Sequence, residues 1–181
     1  MFGGVILAAV AGHPVRAAQR PAPGYPAAET QRDGSRYFVD FHARGTPNFP
    51  GHVFIVYGQL NARGGIAEAQ VAGFTPDADR YSAYLIIPAP GLIVQQRTDL
   101  TEPSTVIYRR HLTAAEFHRL IAKVRQIRAA HPLWHVIFAN CNDFIGAIAR
   151  SIGLHRPPSL LLPSDYVTLL RSLNETPRTG G

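Results

Sequence analysis

The sequence predicts an α+β domain in which an antiparallel sheet packs against helices. Three observations carry this expectation. Short strand-like segments separated by turn residues fill the chain from 35 to 112. A helix start signal at Thr113 then opens a region with helical periodicity. The 181 residues are 46% apolar and 17% charged, which suits one domain with a sizeable core.

Residues 1–34 stand apart from that domain. "MFGGVILAAVAG" is apolar but too short to span a bilayer, and "HPVRAAQRPAPGYPAA" after it is rich in small residues and proline. Val15-Arg16-Ala17 is an acceptable cleavage signature. The segment reads as a secretory signal peptide followed by a Pro/Ala-rich linker, so the expected location is secreted or periplasmic.

"SRYFVDFHA" (35–43) reads as the first strand, enriched in aromatic and β-branched residues. "RGTPNFPG" is a turn. "HVFIVYG" (52–58) is a nearly continuous apolar run, the pattern of a strand buried on both faces. "IAEAQVAGF" (66–74) is the next strand, and shorter ones follow at 83–88, 92–97 and 104–112. Thr113 and Glu116 form a capping box. Phe117, Leu120, Ile121, Val124 and Ile127 then share one helical face, with a basic side opposite. "LWHVIF" (133–138) reads as extended chain, and a second helix runs from about Asn142 to Gly153. Ser164 is placed to cap a last helix, "DYVTLLRSL". The catalytic-sized domain is therefore 35–173, and 174–181 is a tail expected to be disordered.

Net charge is +6, which favours anionic partners such as wall polymers or an acidic membrane surface. No run of Lys and Arg interleaved with aromatics appears, so nucleic acid is not expected as a partner. One Cys and scattered His lack metal-ligand spacing, and no Gly-rich phosphate loop appears. Neither metal nor cofactor is expected, and the chain is expected to be a monomer.

The single cysteine, Cys141 in "FANCNDFIG", falls at the first turn of the second helix. Backbone N–H groups are unpaired there and carry partial positive charge, which favours a thiolate and can stabilise an oxyanion. Asn140, Asn142 and Asp143 around it are candidate oxyanion or substrate-binding groups. A thiol nucleophile needs a base. Of eight His, His52 is the leading candidate, because it opens an otherwise apolar strand; His42 and His135 are alternatives. The group orienting that base is sought on the next strand, where Glu68 and Gln70 share a face, Glu68 being preferred.

The layout Gly51-His52-x5-Gly58, then a strand carrying a polar residue, then Asn140-Cys141-x-Asp143-Phe144 opening a helix, resembles the circularly permuted papain-like superfamily. It is similar to permuted NlpC-type and lecithin–retinol acyltransferase-like proteins, and more loosely to PPPDE-type peptidases, over roughly residues 36–173. The resemblance implies a sheet carrying the His packed on the helix carrying the Cys. It implies acyl-group chemistry through a thioester on Cys141, with His52 as base and Glu68 as third residue. No His lies between 53 and 110, and Asn142-Asp143 stands where lecithin–retinol-type motifs have Glu-His. The leading expectation is an exported cysteine hydrolase cleaving an amide, such as a cell-wall peptide. The alternatives are a thiol acyltransferase and a catalytically inactive binding domain of the same fold.

Overall fold

The computed structural model describes residues 36–46, 49–77, 87–94 and 103–175. The signal-peptide expectation, most of the strand expected at 83–88 and the tail beyond residue 175 lie outside them, whereas Asn174 and Glu175, expected in that tail, belong to the last helix, where Asn174 bonds His155 and Leu170. The elements run β1 (Tyr37–Thr46), β2 (Phe49–Leu60), β3 (Ile66–Pro76), β4 (Ala89–Val94), β5 (Val106–Leu112), α1 (Ala114–Ala129), β6 (Leu133–Trp134), α2 (Cys141–Ser151) and α3 (Pro163–Glu175). The six strands form one sheet in the order β5-β1-β2-β3-β4-β6, every pairing antiparallel. This is the α+β arrangement of an antiparallel sheet and three helices.

The apolar run of β2 is explained by its place at the centre of the sheet, with β1 and β3 on either side. Val53, Ile55 and Tyr57 join the main core with Phe117, Leu120 and Val124 of α1, Phe144, Ile145 and Ile148 of α2, and Tyr166, Val167 and Leu170 of α3. The alternate residues Phe54 and Val56 enter a second cluster with Phe38, Leu60 and Val71. Side chains alternate across a strand, so these clusters mark opposite faces of the sheet. All three helices contribute to the first, here termed the helix face; the second is termed the outer face.

The capping box at α1 forms as expected: Thr113 Oγ1 accepts from the Glu116 amide at 3.2 Å, and Glu116 Oε2 accepts from the Thr113 amide at 2.8 Å. Two expectations are corrected. Ser164 does not cap α3, which begins one residue earlier with Pro163; proline at the first helical position costs no hydrogen bond, because that amide has no intrahelical acceptor. The segment 133–138 is extended only over Leu133–Trp134. His135 and Ala139 then exchange both backbone hydrogen bonds (2.9 and 3.0 Å), and His135 Nδ1 accepts from the Ile137 amide at 3.1 Å. A side chain satisfying its own turn outweighs the strand preference of Val136 and Ile137.

The two motif glycines are required by backbone geometry. Gly51 has φ +96°, a region side chains disfavour, and a Cβ there would meet the Arg44 backbone. Gly58 pairs with Ala69 across the β2–β3 ladder, and a Cβ on it would lie 2.8 Å from the Glu68 carbonyl carbon and 3.0 Å from the Ala69 Cα. Only backbone stands in the way, so the ladder itself must part. Gly58→Ala is expected to cost about 2–3 kcal/mol, read as a lowered urea midpoint; a change under about 0.5 kcal/mol would refute the close approach.

Candidate active site

Cys141 is the first residue of α2, and Asn140 is its N-cap. Asn140 Oδ1 accepts from the amides of Asn142 (2.8 Å) and Asp143 (3.2 Å), and Asp143 Oδ2 accepts in return from the Asn140 amide (3.1 Å). This reciprocal box uses the second and third amides of the helix. The Cys141 amide itself is left near its own sulfur. The sulfur is half-buried, and the backbone amides of Val53, Asn142 and Cys141 lie near enough to favour its charged form. Burial nevertheless dominates and pushes the thiol above its ordinary value of 9.0, against the pull of those amides and with a small upward push from Asp143.

The Val53 amide places the sulfur one residue from His52. The β2–β3 ladder extends from Phe54–Gly73 toward Leu60–Ile66, and the sulfur meets β2 just beyond the Phe54–Gly73 end. The His52 ring reaches the same place from the outer face. It stacks on Phe54 (centroids 6.1 Å, 16° between planes), and its Nε2 sits 2.8 Å from where a Cβ on Gly73 would be. Thiol and imidazole thus approach one point of β2 from opposite faces of the sheet, with no hydrogen bond between them. Direct facing of ring and sulfur, expected from the sequence, is corrected to this arrangement. The reason is strand alternation: residue 52 is in phase with Phe54, whereas Cys141 packs with Val53. Burial, aided by the Arg44 charge, lowers the His52 pKa to about 4, so its ring is neutral at pH 7 and able to accept a proton.

Glu68 and Gln70 are not brought to His52. Register pairs Gln59 with Glu68 and Phe54 with Gly73, so the residue in line with His52 is Thr75. Glu68 is seven residues away, about 23 Å along the strand, and is exposed. Gln70 instead accepts from the Tyr57 hydroxyl at 3.1 Å. The two share a face with each other, but it is the face of Tyr57, opposite to that of His52, and both lie far along the strand from it.

Asn140, Asn142 and Asp143 surround the cysteine, and their donors build its loops, while the buried Asn142 Oδ1 has no hydrogen-bond partner among the described residues. The Asn140 amide nitrogen donates to the Val136 carbonyl at 2.7 Å, and that of Asn142 donates to the carbonyls of Ser159 and Leu161, both at 2.8 Å. Asp143 accepts from the Ser159 hydroxyl and pairs with Arg156 at 3.5 Å. The assignment of these three side chains to oxyanion binding is corrected accordingly: they clamp the chain before α2 to the chain after it.

The alternative bases are also accounted for. His42 is buried on the outer face, where it shares a hydrogen bond with Ser104 Oγ (2.9 Å) and stacks on Phe54 (4.9 Å). Burial, then the charges of Arg109 and Arg44, lower its pKa to about 3. His135 is held by its own turn and packs against Phe138 (4.7 Å).

Sequence reasoning missed three contributors. Val53 acts through its amide, and an apolar side chain gives no hint of that. Gly73 leaves the space that the His52 ring occupies. Tyr166 lies fully buried in α3 with its hydroxyl unpartnered beside Gly146 and Arg156, and burial raises its pKa. Among the described residues no cluster of His, Cys, Asp and Glu could hold a metal ion, and no helix is long and apolar enough to cross a membrane. Comparison with protein-family models, curated proteins and solved structures finds no match to the chain.

Proposed function

We propose that this chain is a cysteine hydrolase of permuted papain-like architecture that cleaves an amide bond through a thioester on Cys141, with His52 as the base. The observation that carries the reading is the Val53 amide lying close to the Cys141 sulfur, which sets the nucleophile against the strand residue next to His52. The pair rests uncharged, a thiol and a neutral imidazole, rather than as a preformed ion pair.

In this scheme the start of β2, beyond the Phe54–Gly73 end of the ladder, turns so that the His52 ring leaves its seat over Gly73 and reaches the sulfur, because rotation about the Cα–Cβ bond alone does not cross the sheet. The ring takes the thiol proton as the sulfur attacks the substrate carbonyl carbon. The amides of Cys141 and Val53, already close to the sulfur, are the donors nearest the developing oxyanion. Collapse of the adduct breaks the C–N bond, and the departing amine takes the proton from His52. Water, deprotonated by the same ring, then attacks the thioester; the acid is released and the thiol reformed. An exported wall peptide remains the substrate class best matched to the basic chain and its N-terminal segment.

Alkylation tests the state of the thiol. Iodoacetamide is expected to label native protein at Cys141, the only thiol in the chain, at a rate still rising above pH 9 because the folded pKa is raised. Labelling only after denaturation would mean a sealed thiol and would remove the nucleophile. A plateau below about pH 7 would instead reveal a preformed thiolate.

A further inference from the structure

The loops on either side of α2 carry large apolar side chains that are exposed among the described residues. Ile137 (50% exposed) and Phe138 (79%) tip the turn before α2, and Leu160 (71%) and Leu162 (59%) tip the segment after it. These residues are neighbours in space, because Asn140 bonds Val136 while Asn142 bonds Ser159 and Leu161. They therefore form one ridge beside Cys141. A contiguous apolar patch of this kind is often functional.

We infer that this ridge is a docking surface for an anionic lipid bilayer, into which Ile137, Phe138, Leu160 and Leu162 insert at headgroup depth. Three features select that occupant. The four side chains protrude from turns rather than lining a flat helix or strand face, which fits a fluid interface better than a rigid partner. Their exposed area, on the order of 500 Å², falls short of the roughly 800 Å² per partner that a stable dimer buries. The chain carries a net charge of +6, so an acidic surface attracts it. Apolar insertion and charge attraction are both needed, since neither alone holds a protein to a membrane strongly. The inference does not rest on the thiol chemistry, because docking uses neither Cys141 nor His52. If both hold, the site works at a lipid surface.

The full chain is to be sedimented with vesicles of phosphatidylglycerol and phosphatidylcholine, and with vesicles of phosphatidylcholine alone. Binding is expected only to the acidic vesicles, and weaker at 0.5 M salt. The double variant Phe138→Ser/Leu160→Ser alters exposed positions only and is expected to fold; its partitioning should fall at least about tenfold. Far-UV circular dichroism of the variant guards against misfolding, and Leu173→Ser, at an exposed position in α3 away from the ridge, should bind as the parent does. Equal binding by the double variant, or no binding of the parent to acidic vesicles, overturns the inference. Concentration-dependent self-association lost in the double variant, without vesicle binding, would identify a second copy as the occupant and overturn it equally.

Discussion

Replacing Cys141 with alanine is expected to lower amide hydrolysis by about 10³-fold or more while leaving the protein folded. The size follows from the covalent route. Without the sulfur no thioester forms, and the His52 ring and the two amides can only assist direct attack by water. The small structural cost follows from the position. Cys141 is half-buried at a helix start, and its truncation removes one sulfur at the edge of the main core. A loss of about 1 kcal/mol in stability is expected, far below what would unfold the domain. His52→Ala should lose a similar factor in rate, and the double variant should be little worse than either single one, since the two residues act as a unit. The measurement is turnover of short peptide amides with purified protein, beside urea denaturation of each variant. Unchanged turnover in Cys141→Ala would end the hydrolase reading. Loss in Cys141→Ala with full activity in His52→Ala would keep the nucleophile and reassign the base.

Much of this arrangement was legible in the sequence because it is written in local chemistry. Thr113 and Glu116 mark the start of α1, and Phe117, Leu120 and Val124 are buried on the face their spacing defines. The second helix was legible from its apolar periodicity to within a residue of its start at Cys141, whereas the Asn140–Asp143 capping box that sets that start was not singled out, although it is the same short-range interaction between residues three apart. The central, doubly buried place of β2 follows from its unbroken apolar run. What was not legible depends on register and on turns. That Glu68 faces Gln59 rather than the neighbourhood of His52 is fixed by how β2 and β3 slide past one another, and alternation alone does not specify that slide. The turn at His135–Ala139 depends on one ring nitrogen accepting one amide, which outweighs β-branched propensity. The phase of His52 relative to Cys141 needed both faces of the sheet to be known at once.

The outer face yields the largest stability effect. Asp40 lies on β1, fully buried, and a carboxylate there is tolerated only with partners. Register sets Arg109 of β5 directly opposite, and its guanidinium makes a two-pronged contact, Nε to Oδ1 at 2.7 Å and Nη2 to Oδ2 at 2.6 Å. Burial pushes the Asp40 carboxyl up from 3.8, while the hydrogen bonds and charge of Arg109 pull it down. The Arg109 head also lies 4.9 Å from the centre of the Phe38 ring, so the cation is held from a second side. Asp40→Ala removes the carboxylate and leaves that cation, only 12% exposed, without its main counter-charge. The expected cost is about 3–5 kcal/mol, because breaking one half of a buried pair strands the other. Asp40→Leu combined with Arg109→Met should cost clearly less than Asp40→Ala alone, since an apolar pair of similar volume leaves no charge to solvate. Urea titrations at pH 7 of the parent, the single variant and the double variant decide it. A double variant at least as damaged as the single one would mean that the pair stabilises the sheet through its own attraction, rather than by each charge answering the desolvation of the other.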